Sequence, residues 1–255
     1  MAIKIALANQ KGGVGKTTST IELGAYFRQK NYSVVVVDLE QQYDTTKYCG
    51  GNPTQPGIYE VLKGEVKVSD AIQHLEEFDL LSASPKLSKA DEEFTGATDV
   101  LKLKKALLPL EEMYDFIIID TNPGRNKLLN MAYVASDYVV IPTDADDGSV
   151  DGIKSVFADL EEFRSVGWSD SRVLGVIFTR TENTRMHKYQ EDRIREILDE
   201  KQPDAFLMKV RKGIAATECK TEGTSMQMGK KFSNPAIDYR TVGEKALEQI
   251  LKNAE

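Results

Sequence analysis

NQKGGVGKTTST, residues Asn9–Thr20, follows a short apolar run and nearly satisfies the phosphate-loop pattern G-x-x-x-x-G-K-[ST]. Gly15, Lys16 and Thr17 form the end of that pattern. Its first glycine would fall at position 10, which is Gln10, and a second lysine, Lys11, stands beside it. Gly12, Gly13 and Gly15 let the backbone curl round an anion and turn several N–H groups inward, with Val14 between them. A helix starting near Thr17 adds its positive N-terminal end. In this pattern Lys16 puts a point charge on the β- and γ-phosphates, and the Thr17 hydroxyl is placed for Mg²⁺.

Working outward from the loop, apolar β-rich runs recur: IKIALA, SVVVVD, FDLLSA, YDFIIID, YVVIPT, VLGVIFT and AFLMKV. Several are continuous, as in strands covered on both faces of a parallel sheet. Helical patterns fall between most of them. Thr17–Lys30 carries Ile21, Ala25 and Phe27 inward; Leu101, Lys104, Lys105 and Leu108 fall on another helix. Ser149–Arg164 carries Ile153, Val156, Phe157 and Leu160, and Tyr239–Leu251 carries Val242, Ala246, Leu247 and Ile250. This alternation predicts a doubly wound, mostly parallel α/β sheet with helices on both faces, and residues 1–255 as one domain. Ligands of such sheets bind at the C-terminal strand ends. Three informative stretches lie there: the loop after IKIALA, DLEQQ after SVVVV, and DTNPG after YDFIII. Asp120, at the end of FIII, fits the acidic position that holds Mg²⁺ through water.

The 255 residues are 41% apolar and 29% charged, ordinary for a globular protein. The start MAIKIALANQ has no long apolar segment or small-residue cleavage site, so no signal peptide is expected. No stretch approaches a membrane span. Cys49 and Cys219 form no paired motif and read as structural thiols in a reducing, cytoplasmic setting. The net charge of −7 argues against a surface coated for nucleic acid but not against a local patch. Met208–Lys231 supplies six basic residues against two acids.

KGGVGKTT resembles the deviant phosphate loop of the ParA/MinD ATPases. The resemblance continues through DLEQQYDTT, YDFIIIDTNPG, SDYVVIPTDADDGSVDGIKSV, GVIFTRTENTR and NPAIDYRTVGEKALEQI, in order and spacing. It is strongest toward the short, Soj-like partition ATPases. It implies an ATP- and Mg²⁺-dependent homodimer, with phosphate and metal held by Lys16, Thr17, Thr18 and the loop N–H groups. Lys11 would reach the partner's phosphates across the two-fold axis, where a cation in trans makes dimerisation depend on nucleotide. The resemblance gives Lys11 a resting partner in the acidic run Asp144, Asp146, Asp147, with Asp146 the best match. It also implies nonspecific DNA, a ParB-like partner and a nucleoid-associated location.

The pattern breaks at informative points. The family's water-orienting aspartate is Glu40, its proline is Gln41 and the next glycine is Tyr43. Catalytic positioning is sensitive at the ~1 Å level, so slow hydrolysis is expected. Asp38 either joins the Mg²⁺ shell or caps a turn. Of the family's DNA-contact positions, Arg185 lies within one residue of one, and Ala215 replaces the other. A basic patch remains available from Arg185, Lys188, Arg211 and Lys212, with Lys209, Lys220, Lys230 and Lys231 nearby; ordinary surface charge is the competing reading. The C-terminal EKALEQILKNAE lacks the basic amphipathic character of a membrane-targeting helix. Two functions therefore stay open: a slow partition ATPase in which Lys11, Lys16, Glu40 and Asp120 act in catalysis, and an ATP-driven dimeric adaptor with negligible hydrolysis. A metabolic ATPase on the same fold is the third and weakest.

Overall fold

The computed structural model describes residues 1–146 and 148–254, so Asp147 of the acidic run lies outside the described residues. In chain order the elements are β1 (Ile3–Leu7), α1 (Lys16–Gln29), β2 (Val34–Asp38), α2 (Asp44–Tyr48), α3 (Ile58–Lys63), β3 (Ile72–His74), β4 (Asp79–Leu81), α4 (Ala90–Glu93) and α5 (Lys102–Leu107). They continue with β5 (Phe116–Asp120), α6 (Lys127–Ala135), β6 (Tyr138–Thr143), α7 (Ser149–Ser165), β7 (Arg172–Thr181), α8 (Arg185–Lys201), β8 (Phe206–Arg211), α9 (Ala215–Glu222), α10 (Met226–Gly229) and α11 (Asn234–Ala254). The strands form one sheet in the order β3-β4-β2-β5-β1-β6-β7-β8. Neighbours pair in parallel except β3, which runs antiparallel to β4 at one edge.

The continuous apolar runs are explained by two cores. Ile117 and Ile119 of β5 point into one, with Val35, Val37, Leu129, Tyr133 and Ile153. Phe116 and Ile118 point into the other, with Val34, Val36, Ile21, Phe27 and Val242. Strand residues alternate faces, so a strand covered on both sides must be apolar at every position. The inward residues expected on α1, α7 and α11 are buried or half-buried. α1 and α11 approach closely because position 243 is glycine: a Cβ there would lie 2.3 Å from the Tyr26 ring.

Two expectations change. β3 carries only three residues and no apolar run, so its period gives no signal. On α5 the buried face is Leu103 and Leu107, continued by Leu110, whereas Leu108 is exposed. Residues 103, 107 and 110 are spaced by four and three and so share one helical face, and Leu108 lies about 100° round the axis from Leu107. No helix among the described residues is long and apolar enough to cross a membrane.

Candidate functional site

Parallel order brings the C-terminal ends of β1, β2, β5, β6 and β7 to one rim, and the glycine loop lies across it. Gly13 and Gly15 have φ of 72° and 94°, left-handed values that a side chain would strain. Gly15 then caps α1, whose first turn carries Lys16, Thr17 and Thr18. The loop is pinned from beneath: Thr179 Oγ1 donates to the Val14 carbonyl (3.0 Å) or to that of Thr143 (2.9 Å). Asn9 Nδ2 donates to the Pro142 carbonyl (2.8 Å), and Asn9 Oδ1 accepts the Lys11 N–H (3.0 Å).

Lys16 is buried, and its ammonium lies 3.1 Å from the Lys11 carbonyl. Burial lowers its pKa, opposed by the charges of Asp120 and Glu40. Asp120 is fully buried and accepts hydroxyls from Thr17 (2.7 Å), Thr45 (2.6 Å) and Thr20 (3.3 Å). Burial raises its pKa against the pull of those donors and of Lys16. A lysine at the loop floor and a hydroxyl already seated on a carboxylate fit the donor set of a metal–triphosphate site.

Asp38 is the register partner of Asp120 across the β2–β5 ladder. Both of its oxygens are engaged within the β2–α2 turn. Oδ1 accepts the Glu40 N–H (2.9 Å), and Oδ2 accepts the Thr46 N–H (2.8 Å) and hydroxyl (2.7 Å). Asp38 therefore closes the turn that carries Glu40. Burial, then the charge of Asp120, pushes its pKa up to about 7. Glu40 is half-buried, and its carboxylate faces its own turn at 3.4 Å from the Gln42 N–H. Burial raises its pKa, with Asp120 adding to the rise and Lys16 opposing it.

Lys11 turns to the acidic run. Its ammonium lies 2.8 Å from Asp144 Oδ1 and 3.3 Å from Asp146 Oδ2, so the buried Asp144 is the nearer partner rather than Asp146. Asp144 also binds Arg180 and accepts the Ser149 hydroxyl (3.0 Å). Burial pushes its pKa up, but Lys11 and Ser149 outweigh that and hold it below the ordinary carboxylate value. Gln10, where the usual loop has glycine, donates to Asp159 of α7 (2.9 Å), and its carbonyl accepts the Gly124 N–H (2.8 Å). Arg125 reaches the same Asp159 (2.9 Å), so the DTNPG turn and the glycine loop share one anchor.

The basic patch is brought together only in part. Arg211 is held by Asp238 (2.7 Å), Lys212 by Glu182 (2.8 Å) and Lys209 by Glu191 (3.0 Å). Arg185 and Lys188, exposed at the start of α8, have no carboxylate partner among the described residues. Sequence reading missed Thr45, Thr46, Asp159 and Arg180. The paired threonines of DLEQQYDTT were the available signal for the first two.

A family model described as an AAA domain matches residues 2–170. Over 248 residues the chain is 32% identical to the chromosome-partitioning ATPase Soj of Thermus thermophilus, covering 97% of this chain and 96% of that protein. Among solved structures, a plasmid partition protein from Borrelia burgdorferi matches with a TM-score of 0.75 at 28% identity, covering 99% of each chain. Cobyrinic acid a,c-diamide synthase from Mycobacterium smegmatis, solved with ADP and magnesium, matches with a TM-score of 0.80 at 26% identity, covering 100% of this chain and 97% of that one. With a lysine-bearing glycine loop seated on a buried strand-end aspartate, the chain belongs to the ParA/MinD family of P-loop NTPases, among relatives of the ParA/Soj type.

Proposed function

We propose that this protein is a Mg·ATP-dependent dimerising ATPase of the ParA type, which partitions plasmid or chromosomal cargo using nonspecific DNA and a ParB-like partner. The observation that carries the reading is the division of labour between two lysines on one loop. Lys16 sits inside the loop on the Lys11 carbonyl, while the Lys11 side chain points away to Asp144 and Asp146. Bound Mg·ATP supplies the scissile anhydride and the charge that neutralises its oxygens.

The chain's residues take the remaining roles. The N–H groups of Gly12–Thr18 and the Lys16 ammonium hold phosphate. Thr17, already hydrogen-bonded to Asp120, would offer its hydroxyl to a Mg²⁺ ion, and Asp120 would hold that ion through water. Asp38 fixes the Glu40 turn, and Glu40 orients the attacking water. Lys11 leaves its acidic partners for the phosphates of a second protomer, so dimerisation requires nucleotide.

Sedimentation with a non-hydrolysable ATP analogue tests this. Lys11→Ala should retain nucleotide binding and remain a monomer, whereas wild type becomes a dimer. A normal dimer in the variant removes Lys11 from the interface. One observation favours the adaptor as a second reading: the Glu40 carboxylate is turned into its own loop toward Gln42. Hydrolysis indistinguishable from background under single-turnover conditions would select it.

A further inference from the structure

Strand β7 is irregular where it passes the phosphate loop. Phe178 is the register partner of Lys209 and Thr181 that of Arg211, so three steps along β7 oppose two along β8. One residue is in excess, and the strand bulges there. Thr179 and Thr181, on either side of the excess, are both buried. Thr179 Oγ1 lies against the Val14 and Thr143 carbonyls, and Thr181 Oγ1 donates to the Val210 carbonyl (3.2 Å). Arg180 between them has φ of 53°. That is the left-handed region, which glycine enters freely and arginine enters at a cost. A bulge re-aims a side chain. Here the Arg180 guanidinium is aimed at Asp144.

The two oxygens of Asp144 are shared unequally. Oδ1 accepts from Lys11 (2.8 Å), the Ser149 hydroxyl (3.0 Å) and the Asp146 N–H (3.3 Å). Oδ2 accepts from Arg180 alone among the described residues. Asp144 is 4% exposed, so water is poorly placed to replace a lost cation. A buried charge deprived of its partner is strongly unfavourable. With Lys11 as its one counter-ion, Asp144 would be stranded whenever Lys11 left. The two cations contact different oxygens, so one can leave while the other stays. Asp146 raises no such difficulty, because its side chain is 75% exposed and stays hydrated.

We propose that Arg180 is a positioning residue for the trans lysine: it keeps Asp144 paired through Oδ2, so that Lys11 can leave Oδ1 for the phosphates of a second protomer without stranding a buried charge. The inference rests on the proposed nucleotide-dependent dimer. Arg180 also shares the charge of Asp144 while Lys11 is at rest, which loosens the hold on Lys11. Both effects act in one direction, toward release of the lysine. The strained backbone at position 180 fits this role, since a relaxed strand would lack the bulge that turns the guanidinium to Oδ2.

Sedimentation of the full chain with Mg·AMPPNP tests the proposal. Arg180→Gly suits the left-handed backbone, so the variant should fold, and it should bind the analogue as wild type does. Its dimer dissociation constant should rise about fivefold or more, within the range of coupling between residues in contact. Asp144→Asn removes the carboxylate that both cations share. In that background, adding Arg180→Gly should change the dimer constant by less than about twofold. A purely structural role for Arg180 would cost the same in both backgrounds, and that result overturns the proposal. So does loss of analogue binding by Arg180→Gly, which would place the guanidinium at the nucleotide. A wild type that stays monomeric with the analogue overturns the dimerising reading and this inference with it. A wild-type dimer that Arg180→Gly leaves unchanged overturns this inference alone.

Discussion

Glu40 stands where the sequence resemblance places a water-orienting aspartate, and under the proposed function its side chain separates enzyme from adaptor. It follows Asp38 by two residues, and the Asp38 carboxylate holds its N–H at 2.9 Å. The carboxylate lies close enough to Lys16 and Asp120 for both charges to act on it. If it orients water, Glu40→Ala should keep nucleotide binding and dimerisation while single-turnover hydrolysis falls at least tenfold, a barrier change of about 1.4 kcal/mol. Glu40→Asp should also be slower than wild type. The Gln42 N–H faces the Glu40 carboxylate at 3.4 Å, and retracting the arm by one methylene shifts the oxygen. Equal rates for wild type and Glu40→Ala would exclude Glu40 from the chemistry. At this scale the sequence was informative where the motif fixes spacing: Thr17 is hydrogen-bonded to Asp120, and Lys11 reaches the acidic run. It was silent on contacts between distant segments. Nothing local to Gln10 indicates Asp159, and nothing local to Asp144 indicates Arg180.

The short helix α2 shows what an element can hide. Its five residues carry no periodicity, yet Thr46 satisfies two buried groups at once: it donates to Asp38 Oδ2 (2.7 Å) and accepts the Ala83 N–H (2.9 Å). Thr46→Val preserves the shape, strands the Ala83 N–H and leaves Asp38 Oδ2 with only the backbone N–H of residue 46, so urea unfolding should show a loss of about 1–3 kcal/mol. A loss below about 0.5 kcal/mol would mean water replaces the hydroxyl without cost. The loop helix α1 carries a second buried acid, Glu22, which accepts the Met226 N–H (2.7 Å) and Gln227 Nε2 (2.9 Å) and so ties α10 to α1. Burial pushes its pKa up to about 7, against the pull of those donors. The unfolded chain loses this proton near the ordinary carboxylate pKa, and the folded chain holds it to about 7. Between those values the folded state binds more protons, so stability falls as pH rises and levels off above about 7. Glu22→Gln should reduce that slope in melts across this window, leaving the part contributed by the other acids whose pKa the fold raises, Asp38, Glu40, Asp120 and Asp159. An unchanged slope would mean that the buried acid does not titrate there. The long amphipathic helices were legible because packing enforces their period. α5 is short, and its buried face is set by Leu103 and Leu107, with Leu108 about 100° off that face.

Across the whole molecule, the proposed DNA binding raises the question of where an acidic protein presents positive charge. The C-terminal stretch is basic by count, but folding sets acids beside most of it: Asp238 on Arg211, Glu182 on Lys212, Glu191 on Lys209 and Glu218 on Lys230. Sequence counting cannot see this, because Asp238 and Glu182 lie outside the basic stretch and arrive through the packing of α11 and the end of β7. Such exposed pairs are individually weak, about 0–1 kcal/mol, yet each must open before its cation can neutralise a phosphate. Arg185 and Lys188 carry no such cost, and they project from the first turns of α8, whose N-terminal end adds a partial positive charge. If the protein retains DNA with ATP, Arg185→Glu with Lys188→Glu should weaken retention more than Arg211→Glu with Lys212→Glu. Each phosphate that a substitution leaves unneutralised lowers the slope of log affinity against log salt by about 0.9, so the first pair should reduce it by about 2 per protomer. Filter retention of nonspecific duplex over a salt series, with and without ATP, measures both quantities. A larger effect from the Arg211 and Lys212 pair would show that Asp238 and Glu182 release their cations on binding. No ATP-dependent retention by wild type at low salt would move the function from DNA-borne partition to the adaptor.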